Sequence, residues 1–338
     1  MIKLSKYYKV AIFIVLTAIA CVYICKQAFV IFYIDNESSP EPYSYKLDKE
    51  IHKLAGGKPP YAALFYTSKT KLMYIATNHT TNIQSKTFAW IKTAIDDFKP
   101  RLIIFEGVKS TDGYSPKDII DSIDQINHLS KTLNVSSDWS RGEHIYAAYL
   151  GQQNSIPFLG GEVDDQVIFD RLNKDGYSDD DIIFFYFSRQ IPQLYREGLI
   201  SKQDDLEFEY SKFIKKLMNK LEFKTLNALY FEKYKIWINK HFGKFDFKIL
   251  IDSNNTAPIF SGNFLQKISS RIGIIRDKHI IDLISNNTGQ FSKILIVYGA
   301  SHLSTQYGVL SKMFGPATFY VNVDDYKKMV SSNNLCIK

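Results

Sequence analysis

The sequence predicts an α/β fold: a mostly parallel sheet with helices on both faces, plus a helical insertion and an N-terminal transmembrane helix. Three features carry this expectation. Short apolar runs at 72–76, 101–105 and 294–298 are continuous rather than alternating, as strands buried on both faces require. The segments between them space their apolar residues as helices do. Residues 7–34 hold a long, nearly charge-free run, and roughly 20 apolar residues suffice to span a bilayer.

The elements follow in order. Within the N-terminal run Lys26 is the one charge after Lys9, placed to snorkel toward an interface. Lys3, Lys6 and Lys9 lie at its start, while Asp35, Glu37 and Glu41 follow it. Positive-inside logic leaves the N-terminus in the cytoplasm and the folded domain outside it, in the periplasm or beyond the cell. A cleaved signal peptide or a lipoprotein site at Cys21 are the alternatives. The chain stays hydrophobic past Cys21, which favours an uncleaved anchor over 1–34. A proline-bearing linker occupies 35–42, the folded domain 43–325 and a C-terminal tail 326–338.

Runs 61–66 and 72–76, joined by Thr67-Ser68-Lys69-Thr70, predict a hairpin. Phe88, Ile91, Ala94 and Ile95 predict a helix over 85–98 that Pro100 stops, and strand 101–105 then ends in Glu106-Gly107. Ile145, Ala148 and Tyr149 mark a helix over 142–154, and strand 156–159 ends in Gly160-Gly161-Glu162. The region of about 179–250 lacks strand character and reads as a helical insertion, with Phe208, Phe213, Leu217 and Leu221 on one helix face. A helix over 271–285, strand 294–298, a turn at His302 and a last strand at 317–323 complete the domain.

Hydrophobic content of 45% and charged content of 23% suit a globular protein. The net charge is +7, and the four lysines of the first 34 residues leave only +3 for the remainder. That is too weak and too scattered for a nucleic-acid surface. Of the three cysteines, Cys21 and Cys25 lie in the apolar run and Cys336 in the tail, so neither a disulfide framework nor a thiolate metal cluster is available. Any metal must use His, Asp and Glu.

Four predicted strands end in chemistry, at His79, Glu106, Glu162 and His302. In open α/β sheets ligands bind beyond the carboxyl ends of the strands, so these side chains are expected to converge. His79, His302 and Glu106 make a plausible ligand set for Zn, Mn or Fe. Glu162 then serves as a general base or holds a His tautomer. Arg276 offers a fixed positive charge for an oxyanion. Plainer readings stand beside these. Glu106 and Glu143 are also what a helix N-terminus favours, and Arg276-Asp277 is also an ordinary surface pair. His52, His128, His144, His241 and His279 read as structural or exposed.

The strings MYIATNHTTN (73–82), KPRLIIFEG (99–107) and ILIVYGASHL (294–303) resemble the Tiki/TraB family. That family belongs to a wider superfamily with erythromycin-esterase-like and ChaN-like haem-binding proteins. The stretch 142–162 and the helix carrying Arg276-Asp277 look like further parts of such domains, so the resemblance covers about 43–325 apart from the insertion. The family pattern is two G-x-x-H motifs with a glutamate between them. His79, Glu106 and His302 match it, while Ala76 stands where glycine is usual. The resemblance implies an α/β domain around a polar cleft. Depending on the member, it implies metal-dependent peptidase activity, ester hydrolysis by His and Glu, or haem binding, and fold analogy does not choose among these. The leading expectation is a membrane-anchored, extracytoplasmic, metal-dependent hydrolase of peptides or esters, capped by the insertion. The alternatives are a haem- or iron-binding protein and an inactive scaffold.

Overall fold

The computed structural model describes residues 39–133, 142–218, 230–259 and 261–335. The expected anchor at 1–34 and Leu221 lie outside them. Among the described residues no helix is long and apolar enough to cross a membrane.

Six strands form one sheet in the order β4-β3-β5-β2-β1-β6: β1 (Tyr61–Tyr66), β2 (Lys71–Thr77), β3 (Leu102–Lys109), β4 (Phe158–Glu162), β5 (Lys293–Gly299) and β6 (Thr318–Tyr320). β4, β3, β5 and β2 run parallel, whereas β1 pairs antiparallel with both β2 and β6. The hairpin and the parallel core match the sequence expectation. One detail does not follow from chain order: β5, late in the sequence, lies between β2 and β3. The two histidine-bearing strand ends are thereby made neighbours.

Strand geometry explains why unbroken apolar runs are needed. Successive side chains point to opposite faces, and each face here has its own core. Leu72, Tyr74, Ile104, Ile294, Ile296 and Tyr298 pack on one side, against α1 (Tyr45–Ala55), α10 (Phe264–Asn287) and α11 (Ala300–Phe314). Met73, Ile75, Ile103, Phe105, Leu295 and Val297 pack on the other, against α2 (Lys86–Thr93), α3 (Lys117–Leu133), α4 (Glu143–Gln153) and α12 (Val323–Leu335). Fully burying one such side chain is worth about 1.5–3 kcal/mol, so neither face tolerates polar alternation.

The third core belongs to helices alone: α5 (Asp165–Lys174), α6 (Asp179–Arg196), α7 (Asp205–Met218), α8 (Phe231–Phe242), α9 (Phe247–Ile251) and the first half of α10. Phe184, Phe187, Tyr210 and Tyr234 pack edge to face within it. This core draws on Val163 through Ile275, so it reaches beyond 179–250 on both sides. Asp164 caps α5, and capping boxes at Ser178/Asp181 and Asn263/Gln266 start α6 and α10, satisfying orphan N–H groups.

Several local expectations are corrected. Phe208 faces outward at 65% exposure, with the Lys212 ammonium over its ring at 4.1 Å. The inward stripe of α7 is Leu206, Tyr210, Phe213 and Leu217, so Phe213 and Leu217 pack as expected and Phe208 does not. The helix expected over 85–98 is α2 followed by a π turn, Ala94–Phe98. β4 begins at Phe158 because Pro157 has no N–H to pair, although its carbonyl accepts from Ile103. β3 continues past Glu106 to Lys109 through a register shift, with Gly107 at φ 94. Helix α10 extends past both ends of 271–285, and His302 lies in the first turn of α11 rather than in a free turn.

Candidate functional site

The four parallel strands deliver their carboxyl ends to one edge, and His79, Glu106, Glu162 and His302 meet there. β2 stops at Thr77, and the chain leaves the sheet to present His79. Gly299 ends β5 and is at once the N-cap of α11. A Cβ at Gly299 would lie 2.8 Å from His79 Nε2 and 3.2 Å from Glu106 Oε2, so a glycine is what lets these groups approach. Ala76, by contrast, is buried in regular strand paired with Tyr298. It is not among the positive-φ residues, so this position makes no demand for glycine.

Glu106 is the centre. Its Oε2 lies 3.5 Å from His79 Nε2, and its Oε1 lies 3.6 Å from His302 Nε2. Arg276 donates to Oε1 at 2.8 Å, and the Gly299 N–H donates to Oε2 at 2.8 Å. Burial pushes the Glu106 carboxyl up, but the charges of His302, Arg276 and His79, with the Gly299 N–H, outweigh it and bring it to about 2. The group is a held carboxylate.

Each imidazole is held from behind by a second carboxylate. His79 Nδ1 is 2.6 Å from Glu143 Oε1, and His302 Nδ1 is 2.6 Å from Asp277 Oδ1. An ionised carboxylate only accepts, so these contacts assign a proton to Nδ1 and leave Nε2 of the neutral ring as the lone pair. Glu143 also accepts from Thr77 Oγ1 at 3.3 Å and the Thr80 N–H at 3.4 Å. Asp277 is 3% exposed and also accepts from Thr305 Oγ1 at 2.5 Å and Gln306 Nε2 at 2.7 Å. The hydrogen bond from Glu143 raises the His79 pKa, and the charge of Glu106 adds to it against burial and Arg276. Burial pushes Glu143 up, and its bond to His79, the charge of that ring and the N–H groups of Glu143 and Thr80 together outweigh it and lower the pKa.

Arg276 and Glu162 form the flank. Arg276 Nε and Nη2 grip Glu162 at 2.8 and 2.5 Å, and the Tyr298 hydroxyl donates to Glu162 at 3.0 Å. The guanidinium is committed to two carboxylates, so it fixes Glu106 in place rather than waiting for an oxyanion. Glu162 is committed in turn to Arg276 and Tyr298.

Glu143 and Asp277 are the residues that sequence reasoning passed over. Asp277 carried a usable signal. It falls on the same stripe of α10 as Ile280, Ile281 and Ile284, at spacings of three, four and seven, and an acid on a buried stripe needs a buried partner. Glu143 carried a weaker one in Gly142 before it, which takes φ 94. His144 also lines the site, and burial lowers its pKa.

Two cavities flank the array, and His79 and Glu106 line both. The first, about 580 Å³, is walled by Thr80, Thr81, Gly107, Gly142, Glu143 and His144. The second, about 270 Å³, lies between the site and the helical layer. By donor type, His79, His302 and Glu106 suit a divalent ion, and carboxylates behind both rings are what metal-binding histidines use. The two Nε2 atoms face different oxygens of Glu106, and each oxygen also accepts from a protein donor. Among the described residues no group of three His, Cys, Asp or Glu side chains is set to hold an ion. Haem fits no better. Tyr43 is the single Phe, Tyr or Trp on either lining, and the helical-layer aromatics pack on one another.

Comparison with known proteins finds no family model that matches the chain, no curated protein that matches its sequence and no solved structure that matches it.

Proposed function

We propose that the chain hydrolyses esters or amides at the His79–Glu106–His302 array. The observation that carries this reading is the ionised Glu106 set between two imidazoles whose Nδ1 protons are each held by a carboxylate. Such a ring presents a base at Nε2 and, once protonated, an acid. His79, whose side chain is 61% exposed, faces both cavities and takes a proton from the attacking water. The imidazolium that forms lies between Glu143 and Glu106, which stabilise it. The proton that His79 has taken then passes from it to the leaving group as the bond to the carbonyl carbon breaks, while His302, at 13% exposed, lies between Asp277 and Glu106 and holds the carboxylate from the other side. Two cavities meeting at the array provide room on both sides of a scissile bond.

Metal dependence, expected from the resemblance to Tiki-like proteins, would place an ion among His79, His302 and Glu106, whose carboxylate already accepts from Arg276 and the Gly299 N–H. No step above depends on one. The apolar run at 7–34 supports anchoring in a membrane with the domain on the extracytoplasmic side. The test is turnover of a panel of p-nitrophenyl esters and chromogenic peptides by the full chain, with elemental analysis of the same samples. Hydrolysis abolished in both His79→Ala and His302→Ala is expected. Hydrolysis indifferent to either substitution refutes the reading. A stoichiometric ion lost in both variants assigns the histidines to a metal.

A further inference from the structure

The second cavity has a wall that the array does not supply. Its lining includes Arg189 from α6, together with Ser269, Ser270 and Ile272 from α10 and Thr256 and Pro258 from the segment before it. Opposite them lie His79, Glu106, Arg276, Asp277, Ser301 and His302. The helical layer thus reaches the reacting groups through this cavity.

Arg189 is the unusual member. Every other charged side chain of the array has a partner within hydrogen-bond reach, whereas Arg189 makes no hydrogen bond or ion pair among the described residues. It is exposed, although it belongs to a helix whose neighbouring residues, Phe187 and Ser188, are buried. Burial and the charge of Arg276 lower its pKa, while the charges of Glu106 and Glu162 act the other way. A guanidinium stays protonated regardless. A cation on the wall of a concave site with no carboxylate in hydrogen-bond reach is poised for an anion. The Ser270 hydroxyl, on the same wall, is 3% exposed and has no hydrogen-bond partner among the described residues. It is a second donor without an acceptor.

We infer that Arg189 and Ser270 make the second cavity a subsite for a carboxylate on the substrate. The inference rests on the hydrolase reading and narrows it to substrates carrying an acidic group beside the bond that is cut. Charge and size select a carboxylate over a larger anion. One guanidinium matches one carboxylate through a paired, planar set of hydrogen bonds. A phosphate dianion would face the same single cation with Glu106 and Glu162 close by. The volume of about 270 Å³ falls below the roughly 300–1,000 Å³ of drug-sized pockets, so the subsite takes a small acidic fragment and not a whole chain. The helical layer then sets specificity through one residue, with Arg276 left to its structural task.

The test separates binding from turnover. Glutarate binding to the full chain is measured by calorimetry for wild type, Arg189→Gln and Arg189→Lys, with circular dichroism to confirm folding. In parallel, kcat/KM is compared for p-nitrophenyl hydrogen glutarate and p-nitrophenyl butyrate. Wild type should bind glutarate and prefer the acidic ester. Arg189→Gln should weaken binding and cut that preference roughly ten- to hundredfold, the worth of a charge-assisted pair, and Arg189→Lys should restore part of it. Ser270→Ala should weaken glutarate binding by a smaller factor. If neither ester is cleaved but glutarate binding still depends on Arg189, the hydrolase reading fails while the subsite stands. Glutarate that binds neither protein, or binds wild type and Arg189→Gln alike, overturns the subsite. So does an ester preference that survives the substitution.

Discussion

Replacing Glu106 with glutamine tests whether the array holds a true anion. The substitution keeps the shape and removes the charge that Arg276, the Gly299 N–H and the two imidazoles surround. The displacement of the carboxyl from its ordinary 4.5 to about 2, at about 1.4 kcal/mol per pH unit, amounts to roughly 3 kcal/mol in favour of the folded, ionised state. The side chain is 19% exposed, so solvent screening removes little of this. A carboxyl depressed by folding contributes stability that is present above its unfolded value and lost as pH falls through the folded one. The window is therefore pH 4.5 down to about 2. Urea unfolding of wild type and Glu106→Gln, followed by circular dichroism between pH 5 and pH 2, should show their difference in stability shrinking by about 3 kcal/mol. Hydrolysis should fall at least roughly a hundredfold, since the imidazolium loses its counter-charge. Parallel acid curves for the two proteins would refute the claim that the array holds Glu106 ionised, whatever happens to activity.

Glu143→Gln should move the acid limb of kcat/KM to lower pH, because the group that most raises the His79 pKa is gone; a pH–rate profile with an unmoved limb excludes His79 as the base. The linked stability has the opposite sign to that of Glu106: the His79–Glu143 contact stabilises the fold below pH 6.5 and loses its effect as pH rises through the folded value. Gly299→Ala should leave the fold intact, since φ −56 and ψ 140 suit alanine. Its Cβ at 2.8 Å from His79 Nε2 should push the ring aside and cut kcat about a hundredfold, read by kinetics beside a melting curve. Ala76→Gly, the change toward the motif that the sequence resembles, should lower stability by about 0.5–1 kcal/mol through strand entropy with hydrolysis retained, measured by urea unfolding and the same kinetics.

What the sequence made legible and what it hid have one physical cause. Strands 72–76, 101–105 and 294–298 were readable because burial on both faces forces an unbroken apolar run. Their parallel course then carried His79, Glu106, Glu162 and His302 to one edge. Partnership was not readable in the same way. Glu143 meets His79 across 64 positions, and Asp277 meets His302 across 25, and nothing local distinguishes either acid from a helix-end or surface residue. The adjacency of β2 and β5 across more than 200 residues was hidden for the same reason. Phe208 shows the limit of periodicity: it lies five residues before Phe213, off the inward stripe of Leu206, Tyr210, Phe213 and Leu217.

The charges of the site explain why it needs both arginines. Four carboxylates, Glu143, Glu106, Asp277 and Glu162, share the array with one committed cation, Arg276, which holds Glu106 and Glu162. The array is therefore rich in negative charge. The hydrogen bond to Glu143 and the charge of Glu106 raise the His79 pKa, which suits a base that must capture a proton from water and keep it until the leaving group departs. The same excess of negative charge repels any substrate carrying an acid. Arg276 cannot answer this, because releasing either Glu106 or Glu162 would leave a buried carboxylate without its counter-charge, a loss on the order of 3–5 kcal/mol. An acidic substrate can approach only if a second cation is held outside the array, unpaired and facing the same cavity, and Arg189 occupies that position.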